Sequence, residues 1–159
     1  MVGMAKERVA KKLAPEPATA NKKSLQLQQL AIRWGGHTVI LGDGFTPVPR
    51  SFLKYAAELK PYSLGPAEVS FVLNLMYFKW DERAPFPSYA TLAGRMGISV
   101  QYARDIARKL ARKGFLIRTI RRGLPNQFDL QPLFDALAKH VEAEMAAGRN
   151  KKKQKLTVV

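Results

Sequence analysis

The stretch Ser88 to Phe115, SYATLAGRMGISVQYARDIARKLARKGF, reads as two helices joined by a very short turn. Ser88 follows Phe86-Pro87 and is suited to accept a backbone N–H of a first helical turn. The first helix carries Leu92, Ala93 and Met96 and stops at Gly97, where a left-handed conformation comes without a Cβ penalty. Ser99 can cap a second helix, which runs to Lys113 and ends at Gly114. This is helix-turn-helix spacing, an arrangement whose second helix normally enters the DNA major groove.

At about 100° per residue the second helix divides by chemistry. Val100, Ala103, Ile106, Ala107, Leu110 and Ala111 fall on one side; Gln101, Arg104, Asp105, Arg108 and Arg112 fall on the other. A charged helix face is often merely solvated, and Lys109, Arg112 and Lys113 also complement the C-terminal end of the helix dipole. The placement of charge over the whole chain decides between these readings. The 159 residues carry a net charge of +15. From Ser88 to Arg122, nine Lys and Arg stand against Asp105 alone, leaving +8 there. Residues 1–30 contribute +4 and residues 149–159 contribute +5, so the rest of the chain is slightly acidic. A cationic patch confined in this way suits a polyanion, because neutralised phosphates release condensed counterions.

The length fits one domain, expected over 31–147, between a basic and mostly disordered N-terminal tail at 1–30 and a basic disordered tail at 148–159. No apolar run approaches the roughly 20 residues that span a bilayer, and MVGMAKERVAKKLAPEP lacks the apolar centre of a secretory signal. Zero cysteines exclude disulfides and thiolate metal sites and fit a cytoplasmic, nucleoid-associated protein.

Upstream, Leu25 to Ile32 reads equally as a short strand or a helix. Thr38-Val39-Ile40-Leu41 reads as a short strand closed by Gly42-Asp43-Gly44. The glycines at 35, 36, 42 and 44 do not form a phosphate cradle, since no GxxxxGK[ST] pattern accompanies them. Phe52, Leu53, Ala56 and Leu59 recur at helical spacing from Arg50 to Leu59, and Pro61 marks the end. Gly65-Pro66-Ala67-Glu68 is a helix start in which Glu68 can meet exposed N–H groups. Val69 to Phe78 is apolar nearly all round and belongs at the centre of a core. Tyr77, Phe78 and Trp80 read as part of that core, against the alternative of a stacking platform for bases.

Downstream, Phe115 to Ile120 reads as a strand, 121–126 as a turn and Gln127 to Leu130 as the returning strand. A hairpin here forms a wing bearing Arg118, Arg121 and Arg122. Pro132 starts a helix to about residue 147 whose stripe of Leu133, Phe134, Leu137, Ala138, Val141 and Met145 packs either on its own domain or on a second copy as a homodimer.

The stretch PSYATLAGRMGISVQYARDIARKLARKGFLIR resembles the winged helix-turn-helix superfamily in its Pro-Ser, Leu-Ala pair, Gly-hydrophobic-Ser turn and terminal Leu-x-x-Lys-Gly. A weaker resemblance, carried by Gly44-Phe45-Thr46-Pro47-Val48-Pro49 and a buried helix ending in aromatics, is to the N-terminal DNA-binding domains of phage and plasmid replication initiators. The implied fold is mainly α with a small β-hairpin wing, a winged helix-turn-helix domain with flexible basic tails. The implied function is sequence-specific binding of double-stranded DNA in transcription regulation, with 99–113 in the major groove and the wing, 116–130, on the adjacent backbone or minor groove. The alternative is replication initiation or partition of a phage, plasmid or other mobile element. A protein-interaction scaffold stands third.

By that likeness Gln101 and Arg104 are first choices for base contacts, Gln for adenine and Arg for guanine. Arg108 is a third reader. Tyr102 is suited to a thymine methyl or a phosphate, and Asp105 to orienting an arginine or accepting from cytosine. Ser88, Tyr89 and Ser99 are placed for phosphates, Arg112, Lys113, Arg121 and Arg122 for affinity, and Arg118, on a wing strand, for phosphate or the minor groove. No catalytic role, cofactor, membrane or metal is expected: His37 and His140 lack ligand spacing, Asp81-Glu82 reads as surface charge, and no nucleophile motif is present.

Overall fold

The computed structural model describes residues 25, 26 and 28–156, which fall into two units meeting at Phe45 and Thr46. Of the tail expected at 1–30, residues 1–24 and 27 lie outside the described residues, as do the last three residues of the sequence.

In the first unit, residues 25–31 are helical where described, which decides the ambiguity over Leu25 to Ile32. Two 3₁₀ turns follow, Ile32–Trp34 and Thr38–Leu41. The second corrects the strand expected from Thr-Val-Ile-Leu. Ile40 N–H donates to His37 C=O and Gly42 N–H to Val39 C=O, at 3.3 and 3.1 Å. These local bonds satisfy the backbone; β-branched residues favour a strand only where a partner strand offers a ladder, and among the described residues these have none.

In the second unit the order is α1 (Arg50–Tyr55), α2 (Pro66–Tyr77), α3 (Tyr89–Met96), α4 (Val100–Arg112), β1 (Ile117–Thr119), β2 (Gln127–Asp129) and α5 (Gln131–Leu156). This is a mainly α fold with one two-stranded hairpin, winged-helix-like in its order. Helix α2 is central, as its apolar sequence predicts, burying Phe71, Val72, Leu75 and Met76. Phe52 of α1, Leu92 of α3, Leu110 of α4 and Phe128 of β2 join the same core. Helix α1 stops at Tyr55, short of Leu59, and Leu53 faces solvent; Phe52 and Ala56 fill the only buried face of so short a helix. The chain then turns, with Leu64 N–H bonded back to Ala56 C=O at 2.9 Å.

Strands β1 and β2 are antiparallel, pairing Ile117 with Asp129, Arg118 with Phe128 and Thr119 with Gln127. Phe128 N–H also bonds Pro85 C=O at 2.9 Å, tying the returning strand to the proline-rich segment ahead of α3. Asp129 Oδ1 accepts the N–H of Gln131 at 2.8 Å and so opens α5.

Helix α5 sets Leu133 and Leu137 into the core, while Ala138 and Met145 of the same stripe are exposed. The helix continues to Leu156, where a disordered tail was expected from residue 148. Lys, Gln and Arg are good helix formers, and an interior glycine such as Gly148 costs only about 1 kcal/mol, too little to end a helix when no proline follows. Among the described residues, no helix is long and apolar enough to cross a membrane.

Candidate nucleic-acid interface

The helix-turn-helix is built by two serine caps and one glycine. Ser88 Oγ accepts the N–H of Thr91 at 3.0 Å and also bonds the Thr91 hydroxyl at 2.8 Å. Gly97 adopts φ 65° and ψ 33°, a left-handed turn that a side chain would strain. Ile98 N–H then returns to Ala93 C=O at 3.0 Å. Ser99 Oγ accepts the N–H of Tyr102 at 3.1 Å and starts α4. Both serine hydroxyls are thus occupied by capping, a role that orients the helices whether or not a phosphate is near.

Helix α4 divides largely as its periodicity predicts. Ala103, Ile106, Ala107 and Leu110 are buried and Val100 is half-buried, but Ala111 is exposed. Gln101, Tyr102, Arg104, Asp105, Arg108 and Arg112 are exposed. Asp105 is the hub of this surface: Gln101 Nε2 and Arg108 Nη1 both donate to its Oδ1, at 3.2 and 2.7 Å. The carboxylate thereby holds two base-reading candidates in a fixed relation, while Arg104 turns away from it towards the wing.

Tyr89 joins the three parts. Its hydroxyl accepts from Arg118 Nη1 at 3.2 Å, its ring meets Phe128 edge-on at 5.5 Å, and the Arg104 guanidinium lies 5.8 Å from its centre. A shallow groove of about 330 Å³ opens between α3, the start of α4 and the wing, lined by Ser88, Tyr89, Val100, Arg104, Leu124 and Asn126. Tyr89 and Arg118 are each half-buried, and each spends a polar group on the other.

Two further cations serve the fold. Lys113 Nζ donates to Glu68 Oε2 and to Ser63 C=O, both at 2.6 Å, and its side chain is only 15% exposed. Glu68 also accepts the N–H of Gly65 at 2.7 Å, the capping bond its position predicts. Nothing in the sequence pairs it with a lysine 45 residues away. The carboxylate is 2% exposed, and Lys109 Nζ stands 3.8 Å from its Oε1. At the wing, Arg121 Nε and Nη2 donate to Pro125 C=O at 2.9 and 2.7 Å, clipping the turn around Gly123, whose φ is 68°. Arg122 and Arg112 remain exposed.

The aromatic cluster after α2 also departs from expectation. Tyr77 and Phe78 are half-buried, but Trp80 is 76% exposed. Arg95 of α3 stacks 3.7 Å above the Tyr77 ring and donates to Asn74 Oδ1 at 3.3 Å, so the cluster abuts the helix-turn-helix. Among the described residues, no group of three or more His, Cys, Asp or Glu is placed to hold a metal.

The model of the DnaD N-terminal domain matches residues 48–147. The crystal structure of the N-terminal domain of DnaD protein from Geobacillus kaustophilus HTA426 is similar at a TM-score of 0.55 and 25% identity, covering 77% of this chain and 96% of that one. The crystal structure of YusO protein from Bacillus subtilis aligns over 92% of this chain and 100% of its own, at a TM-score of 0.33 and 15% identity. No curated protein matches the chain. The matched residues enclose α1 to β2 and the first turns of α5, the elements that build the core and carry the basic surface, and the chain belongs to the DnaD N-terminal domain family.

Proposed function

We propose that the protein is a non-catalytic DNA-binding factor of replication, using its helix-turn-helix and hairpin as a winged helix on double-stranded DNA. The observation that carries this reading is the outward face of α4, where Gln101 and Arg108 are held on Asp105 and exposed Arg104 stands beside them towards Tyr89. In the major groove Arg104 and Arg108 are matched to guanine and Gln101 to adenine. Exposed Arg112 and Arg122 supply phosphate contacts, and the groove beside Arg104 receives the backbone between helix and wing. Membership in the DnaD N-terminal domain family, together with the likeness to replication initiators, supports replication over transcription regulation. The exposed Met145 and Ala138 on α5 suit a second copy of the chain, which would present two reading heads to one site.

Selection of bound sequences from a random duplex pool, at low and high salt, tests the proposal. An enriched motif, retained at high salt and palindromic for a dimer, is expected. Absence of binding at low salt would leave only the interaction-scaffold reading.

A further inference from the structure

The loop between α2 and α3 carries a feature that duplex binding does not use. Trp80 and Phe86 are large aromatic side chains, 76% and 57% exposed, at a groove of about 340 Å³ floored by Phe78, Pro85 and Pro87. Burying such rings in the core is the ordinary outcome. Here the loop is built to keep them out. Lys79 Nζ donates to the Asp81 C=O at 2.9 Å and reaches the Glu82 and Arg83 carbonyls at 3.4 and 3.5 Å. Asp81 accepts the N–H and the guanidinium of Arg83, at 2.9 and 2.8 Å, and these bonds hold its carboxyl below the usual carboxylate range. The Pro85 carbonyl is tied to β2, and Tyr77 meets Trp80 edge-on at 6.4 Å. The groove is thus preformed, and its Asp81 is already committed to an arginine.

We propose that this groove binds an unpaired base of single-stranded DNA, stacked on Trp80 against Phe86, with the strand's phosphates running towards Arg83 and the wing arginines. Stacking needs an exposed π face on both partners, which a duplex hides and a single strand offers. Charge favours a polyanion over an apolar peptide: Arg83 lines the groove beside its partner Asp81, and the Arg121 guanidinium lies 5.6 Å from the Phe86 ring. Through that arginine the groove adjoins the wing, so a strand held at the wing can reach it. The inference rests on the DNA-binding reading and adds to it a preference for melted DNA.

The test uses the full chain with Trp34→Phe, which leaves Trp80 as its only tryptophan. Its fluorescence is titrated with oligo-dT of about a dozen nucleotides, with an abasic strand of equal length, and with duplex. Quenching by oligo-dT, and affinity about tenfold above the abasic strand, is expected, the size of one base on one ring. With the strands carrying a fluorescein label and binding read by its anisotropy, Trp80→Ala should abolish that ratio and Trp80→Phe restore most of it, both leaving duplex affinity unchanged. Equal affinity for oligo-dT and the abasic strand, with duplex binding intact, would overturn the inference alone. Loss of duplex binding in the parent chain would remove the function proposed above as well. Quenching by a proline-rich peptide and not by oligo-dT would assign the groove to a protein and likewise overturn it.

Discussion

The two ends of α4 carry similar cations and use them differently. At the N-terminal end Arg104 and Arg108 stand in solvent, and the only acid beside them, Asp105, is itself exposed and shared with Gln101. At the C-terminal end Lys113 is sunk against Glu68, a carboxylate taken from the first turn of α2. One end is free to meet a ligand and the other is bolted to the core. Charge alone does not tell a ligand-binding residue from a structural one; the location of its counter-ion does.

The largest expected effect is at the bolted end. Glu68→Gln leaves the Lys113 ammonium unpaired in a nearly buried site and should cost about 3 kcal/mol in denaturant unfolding. Adding Lys113→Met should recover a substantial part, since an apolar replacement of a buried pair is often tolerated. A loss below about 0.5 kcal/mol would erase the contrast between the two ends.

Arg104→Ala should leave unfolding unchanged but reduce the preference for the selected site over random duplex by about tenfold, the value of one bidentate base contact. Equal losses on both DNAs would make Arg104 a phosphate contact. Next in size, Arg112→Ala should flatten the plot of log affinity against log salt by about one, whereas Lys113→Ala should lower stability and leave that slope alone. Opposite behaviour in this pair would show that Lys113 leaves Glu68 when DNA binds. The smallest effect is expected from Asp105→Asn, below about 1 kcal/mol in stability because its pairing is solvent-exposed. Its signature should be a changed base preference at the positions read by Gln101 and Arg108.

Local features were legible in the chain. The serine caps, the left-handed Gly97, the inward face of α4 and the hairpin around Gly123 each follow from residues within a few positions of one another. The structure departs from the sequence expectation where partners beyond the local stretch decide the outcome. Thr38–Leu41 has the composition of a strand, yet a strand needs a neighbour and these residues have none among those described. Trp80 has the composition of a core residue, but Lys79 and Asp81 fold the loop so that it points outward. A sequence shows the charges of Lys113 and Arg121 and not the Glu68 carboxylate or the Pro125 carbonyl that each of them meets. Base contacts by Gln101 and Arg104 remain a proposal that the geometry permits.

The single bond from Phe128 N–H to Pro85 C=O turns the helix-turn-helix and its hairpin into a closed circuit of chain. Starting at Pro85, the backbone runs through α3, the turn, α4 and both strands, and the bond returns it to its origin. A cut or insertion at the wing tip, near Arg122 and Gly123, leaves that junction standing. The same change between Pro85 and Ser88 opens the circuit at its clasp. Permuted chains with termini at the wing tip should therefore keep a folded head, while termini placed at the proline lead-in should release the wing from the helices it serves.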